Sequence, residues 1–336
     1  MKKRKLILVA LSMVMSTIVW ASDTTKTIVT KEVKQEDASP KGKAIVSVFA
    51  NYNMTMQNGV SKCGFQLDRT YLGYQYSLGN GLELKAVMDI GKPSSVDDYH
   101  YVAYIKNAQV SWKHKGLTLA GGMISTTQFN MQEKFWGYRY IYKSFQDQYK
   151  FGSSADLGLS VAYKMADWVS ADAIMTNGEG YKKVQGNLGF QYGLGLTFTP
   201  VKGLSVRVYG GLNNATDAEK VNVYNYAGFV GYKNKTFSLG GEFAMMQNSG
   251  NAKNKNLLGC SMYGSVKAHK IVDVYARWDM LTSNSSWNVA KDEMAVIAGA
   301  QVKLGKYVKV APNFRMALPK DGESKYMAYV SCYFGL

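Results

Sequence analysis

The sequence predicts an all-β chain: a transmembrane antiparallel up-and-down β-barrel of about 16 strands, with a long third loop folded inward. Three observations predict it. From residue 43 to the end, short runs alternate apolar and polar side chains. Tight polar turns alternate with longer polar connections, the rhythm of a bacterial barrel with short inner turns and long outer loops. After the first residues no apolar run is long enough for a membrane helix, so any crossing has to be made by strands.

The chain opens MKKRK, runs through LILVALSMVMSTIV and reaches Val19, Trp20 and Ala21. A basic start, a short apolar stretch and small residues before a cut after Ala21 form a secretory signal peptide, so residues 1–21 are expected to be removed on export from a bacterial cytoplasm. Residues 22–42 are polar, mix Lys with Glu, and read as a flexible periplasmic leader. Residues 43–336 are the expected barrel.

Composition narrows the partners. The chain has 40 basic and 24 acidic residues; without Lys2, Lys3, Arg4 and Lys5 the balance is 36 to 24, a formal +12. Such an excess favours anionic solutes and the phosphates of outer-membrane lipid and lipopolysaccharide. Nucleic acid is not expected, because the bases are dispersed and form no recognisable binding motif. Cys63, Cys260 and Cys332 are odd in number and lack metal-ligand spacing, so neither a disulfide framework nor a metal is expected. With 24 Tyr, 13 Phe, 6 Trp and 33 Gly but only 5 Pro, the chain suits strands and tight turns.

In chain order, tight turns are expected around Gly79, His114, Asp167, Lys202, Asn234, His269 and Gly305. Long connections are expected around residues 58–63, 93–100, 126–152, 178–186, 214–222, 247–256, 283–292 and 320–323. Between them Leu82, Leu84, Ala86 and Met88 alternate with Glu83, Lys85 and Asp89. Leu204, Val206 and Val208 alternate with Ser205 and Arg207; Val272, Val274, Ala276 and Trp278 with Asp273, Arg277 and Asp279. One face suits lipid and the other water. Tyr52, Trp112, Tyr163, Trp168, Phe198, Tyr232, Tyr307 and Tyr326 lie at strand ends, where aromatic girdles sit. The closing run places Tyr326, Val330 and Phe334 outward, the kind of terminal strand that barrel-assembly machinery reads.

The stretch 126–152, TTQFNMQEKFWGYRYIYKSFQDQYKFG, interrupts this rhythm. A connection of that length without an evident helix pattern is functional or disordered, and its aromatic content argues against disorder. It is expected to fold into the barrel mouth as a constriction, with Glu133, Lys134, Arg139, Lys143 and Asp147 as its charged groups and Arg139 and Lys143 exposed to solute. The alternation of Tyr138, Tyr140 and Tyr142 leaves open an extra hairpin above the rim. Strand parity points Arg69, Lys85, Arg207, Arg277, Lys309 and Arg315 into the lumen, where basic side chains attract anions or form cross-strand ion pairs. No catalytic residues or cofactor are expected: the three histidines fall in connections, and no phosphate-cradling loop or nucleophile elbow is present.

Within residues 107–158, EKFWGYRYIYKSFQD followed by KFGSSADLG resembles the porins of Bacteroidetes-type bacteria grouped with the phosphate-selective porins O and P. The resemblance implies a homotrimer of outer-membrane barrels, each with an inward loop, passing small hydrophilic or anionic solutes by passive diffusion, with phosphate-like anions among the candidates. A narrow or closed barrel serving as a surface structural protein or adhesin is the second reading, and a barrel-embedded hydrolase the third.

Overall fold

The computed structural model describes residues 41–92 and 100–336. The expected signal peptide and nearly all of the expected leader lie outside the described residues. Lys41 and Gly42, assigned to the leader by composition, belong to the first strand.

Sixteen strands form one closed antiparallel barrel in which each pairs with its sequence neighbours and the first pairs with the last. They are β1 (Lys41–Gln57), β2 (Val60–Gly79), β3 (Leu82–Gly91), β4 (Val102–His114), β5 (Leu117–Ser125), β6 (Ala155–Ala166), β7 (Val169–Thr176) and β8 (Gln191–Phe198) in the first half. The second half comprises β9 (Leu204–Asn213), β10 (Val223–Lys233), β11 (Phe237–Gln247), β12 (Leu257–Lys267), β13 (Val272–Ser283), β14 (Glu293–Leu304), β15 (Val308–Pro319) and β16 (Lys325–Gly335). All seven expected tight turns are present. At the first, Asn80 (φ 49) and Gly81 (φ 80) both take the left-handed conformation that a two-residue hairpin needs.

The connection expected at residues 58–63 is not long. Asn58 (φ 53) and Gly59 (φ 71) close β1 onto β2 directly, and Lys62 and Cys63 pair within the ladder. Asn-Gly is the strongest short hairpin signal, because both residues tolerate positive φ and the turn twists with its strands. The polar residues that follow it in β2 had disguised a strand as a loop.

Alternation produces two unlike faces. Leu159, Leu194, Leu239, Met262 and Phe314 are exposed on one, whereas Asp89, Arg207, Glu242, Arg277 and Asp279 are covered on the other. Two bulges adjust the covered face. Phe49 pairs with Arg69 and Ala50 with Leu67, which makes Asp68 an extra residue. Val87 pairs with Asn107 and Met88 with Ile105, which does the same for Lys106. A bulge re-aims the side chain it adds: the Lys106 ammonium lies 3.2 Å from Ser154 Oγ and 4.8 Å from the centre of the Tyr71 ring.

Leu194 is 69% exposed in the middle of β8. A basic group at the middle of a lipid-facing strand costs roughly 2–4 kcal/mol, so Leu194→Arg is expected to destabilise the barrel by that amount in urea titrations of vesicle-folded protein. A change below about 0.5 kcal/mol, the range of ordinary surface substitutions, would put Leu194 off the lipid face.

Candidate pore constriction

Residues 126–154 fold as two short helices, α1 (Asn130–Trp136) and α2 (Phe145–Gln148), joined by a turn with no strand in it. The helices correct the expectation of a helix-free connection, and the tyrosine alternation does not make a hairpin. Gly137 ends α1 in the left-handed conformation (φ 72) that helix C-termini favour, and its N–H bonds the Glu133 carbonyl. Trp136 supplies the next constraint: its indole N–H donates to the Tyr142 carbonyl at 2.8 Å, folding the turn back on the helix.

The covered face of the wall holds this segment by its backbone. Arg207 donates to the Thr127 carbonyl at 2.8 Å, Tyr263 to the Gln132 carbonyl at 3.1 Å and Arg277 to the Lys143 carbonyl at 2.6 Å. Side chains add to this. The Tyr140 hydroxyl reaches Gln301 Oε1 at 3.0 Å, Gln146 Nε2 reaches Glu242 Oε2 at 3.1 Å, and the Tyr149 hydroxyl reaches Glu293 Oε1 at 3.0 Å.

Aromatic packing completes the seat. Trp136, Tyr138, Tyr140 and Ile141 form one cluster with Phe49, Phe229, Tyr263, Tyr275 and Ile297 of the wall. Two wall glycines are sockets for rings of the segment. A Cβ at Gly231 would lie 2.7 Å from the Phe135 ring, and one at Gly259 would lie 2.5 Å from Phe145 Cζ. Both approaches are too close for any other residue without displacement of the ring. These two glycines were not singled out in the sequence.

The candidate charges divide into tied and untied groups. Arg207 makes a bidentate pair with Asp172 (2.6 and 3.0 Å), and Arg277 one with Asp279 (2.8 and 2.7 Å). Arg69 pairs with Asp89 at 2.5 Å, and Tyr181 donates to the same carboxylate. Arg139, expected to face solute, is instead clamped by Glu133 at 3.2 Å and Asp147 at 2.9 Å, with only 17% of its side chain exposed. The two acids expected in this segment, Glu133 and Asp147, thus neutralise the base between them. Lys143 is 39% exposed and lies 3.7 Å from Asp147.

Burial would push the Asp147 carboxyl up, but the Arg139 guanidinium and the Lys143 ammonium override it and hold it below the ordinary Asp value. Burial, with Arg139 adding repulsion, lowers Lys143 despite the attraction of Asp147. Burial followed by repulsion from Arg69 lowers Lys182 in the same way.

Lys85, Lys134, Lys309 and Arg315 have no carboxylate in ion-pair contact among the described residues, and neither does Lys106. Lys309 rests on the Tyr333 ring at 4.9 Å, and Arg315 on Tyr329 at 3.6 Å. Lys85 is within electrostatic range of both Lys106 and Lys134, with Glu83 opposing them. Lys106, Tyr181 and Lys182 were missing from the sequence-based set. The first is turned to the covered face by its bulge, and the other two come from the connection between β7 and β8, where strand parity says nothing.

The closed 16-strand antiparallel barrel is a fold shared with solved porins. No family model matches the chain, and no curated protein matches it. Among solved structures it resembles OprB of Pseudomonas putida, at 10% identity with a TM-score of 0.72, covering 88% of this chain and 94% of that one. It also resembles an anion-selective porin from Comamonas acidovorans (12% identity, TM-score 0.68, 89% and 100% covered) and OmpF of Salmonella typhi (11%, 0.67, 87% and 97%). At these identities the likeness is one of fold.

Because the folded Asp147 value is depressed, the clamp contributes fully above the ordinary Asp value and is lost only as pH falls through the lower, folded one. At neutral pH, Asp147→Asn should loosen the turn and speed trypsin cleavage after Arg139 or Lys143 roughly tenfold, the effect of ~1.4 kcal/mol of easier opening. Unchanged cleavage would mean that the ion pair does not hold the turn.

Proposed function

We propose that the chain is an outer-membrane porin through which small hydrophilic solutes diffuse passively, with a preference for anions. On this reading residues 1–21 direct export, the exposed apolar face meets lipid, the covered face is the bore, and residues 126–154 narrow it. The subunits form homotrimers, with outer-membrane lipid, lipopolysaccharide and the barrel-assembly machinery as further partners. The likeness in fold to the three porins above supports the channel. Phosphate-like anions are the solutes that the resemblance of residues 107–158 to the porin O and P group favours.

One observation carries the anion preference. Lys85 lies within electrostatic range of both Lys106 and Lys134, and none of the three has an ion-pair partner among the described residues, whereas Arg69, Arg139, Arg207 and Arg277 are neutralised by carboxylates. Basic groups bordering a narrow path attract anions and repel cations. Compact ammonium groups can hold phosphate or carboxylate as point charges. Glu83 is the acid that opposes Lys85, one carboxylate against three ammonium groups.

Purified trimers in planar bilayers are expected to give stepwise conductance with an anion-leaning reversal potential. The double substitution Lys106→Glu with Lys134→Glu should move that potential toward cations. Arg139→Gln should move it less, since the Arg139 charge is already matched. Folded protein without conductance would favour the closed surface barrel, and a reversal potential indifferent to the lysine pair would remove those lysines from the path.

Alkaline pH provides an independent check. The folded Lys143 and Lys182 values are lowered, so these ammonium groups lose their charge as pH rises through values below the ordinary lysine range. Anion preference should therefore begin to weaken before that range is reached. A preference flat up to the ordinary lysine value would show that neither group contributes.

A further inference from the structure

At the rim that carries the longer connections, residues 150–153 return toward β6 beside the ends of β8, β9, β10 and β11. The cavity between them has a volume of about 310 Å³ and is lined in part by Lys150, Phe151, Glu179, Asn213, Asn225 and Asn251. That lies at the lower end of the range for small-molecule sites.

Its polar atoms are unevenly satisfied. Asn251 Nδ2 donates to the Val221 carbonyl at 2.9 Å, and Glu179 Oε1 accepts from Asn187 Nδ2 at 2.8 Å. Asn213 Oδ1, Asn225 Oδ1 and Glu179 Oε2, by contrast, are buried and have no hydrogen-bond partner among the described residues. Asn225 is only 3% exposed. Buried polar atoms are paired in nearly all folded proteins, so three orphans around one cavity call for a shared partner. Strand geometry accounts for their convergence. Asn213 pairs across the ladder with Gln191 and Val223, and Asn225 with Gly211, which sets both amides on the covered face at the same rim.

Three acceptors select an occupant that donates. An anion is disfavoured by all three oxygens. A divalent cation such as calcium wants six to eight oxygens, but this cavity offers one carboxylate with the Lys150 ammonium in the same lining, and no cluster of acidic, His or Cys side chains suited to a metal occurs among the described residues. A hydroxyl group donates and accepts, so it serves each amide in either orientation. Met246 and Val223 add apolar lining against which a C–H-bearing ring can rest.

We propose that this cavity binds a small neutral polyhydroxylated solute, a monosaccharide in size, through Asn213, Asn225 and Glu179. The site requires the barrel wall and the returning segment but not the anion preference proposed above, and it can stand if that preference fails.

Calorimetric titration of the detergent-folded full chain with D-glucose, D-galactose and N-acetyl-D-glucosamine tests it, with calcium chloride as the cation arm. At least one sugar is expected to bind saturably, and Asn225→Leu and Asn213→Leu should each weaken it at least tenfold while keeping the heat-sensitive gel migration of a folded barrel. Should Asn225→Leu fail to fold, Asn213→Leu alone decides. Three results overturn the proposal: no saturable binding of any of the sugars, binding that both variants retain unchanged, or binding of calcium alone that the same substitutions abolish.

Discussion

Closure of the sheet is the constraint on which everything else rests. β1 pairs with β16 from Ser47 through Met56, so among the described residues the sheet has no terminal strand with a free edge along that span. In hydrocarbon such an edge costs several kcal/mol per unsatisfied group, and only a helix or a closed barrel avoids it. Closure also explains the outer surface. Side chains such as Leu194 at 69% exposure and Leu159 at 66% form an apolar band that water would not tolerate but lipid does. With the apolar residues turned out, the charged ones are committed to the other face, and the protein must neutralise them locally.

It does so with arginines that serve as fasteners. Arg207 and Arg277 each spend two donors on one carboxylate and a further donor on a backbone carbonyl of residues 126–154. The planar five-donor fork of guanidinium suits that double task, and a lysine in either place would drop one of the two attachments. Removing the carboxylate from such a pair would leave a covered charge unmatched, which is far more costly than never burying the pair. Charge spent on fastening is unavailable to a solute. On the proposed reading, an electrostatic preference acts through the bases left without an ion-pair partner among the described residues, lysines 85, 106 and 134 among them.

Much of the fold was legible in sequence because side-chain direction in a strand repeats every two residues. The seven tight turns, the strand count and the covered positions of Arg207, Glu242 and Arg277 all follow from that period. What it hides is any local break. The bulges at Asp68 and Lys106 each add one residue without changing composition, and Asn58-Gly59 was masked by polar strand residues after it. The two helices of residues 126–154 were illegible for a different reason. α1 is seven residues long, too short to show helical periodicity, and is held by Arg207, Tyr263 and the Gly231 socket rather than by its own propensity. Which bases are neutralised by remote acids was also beyond reach, since Arg207 meets Asp172 across 35 positions and Arg69 meets Asp89 across 20.

The central claim is that residues 126–154 lie inside the barrel against the far wall. Tyr140→Cys and Gln301→Cys, introduced together after Cys63, Cys260 and Cys332 are replaced by serine, test it through cross-linking with a short bifunctional maleimide in the folded protein. The observed Tyr140 to Gln301 hydrogen bond predicts efficient bridging, read as an altered migration that persists after heating. If each cysteine reacts singly with a monofunctional maleimide but the two are never bridged, the segment sits elsewhere and the proposed constriction falls with it.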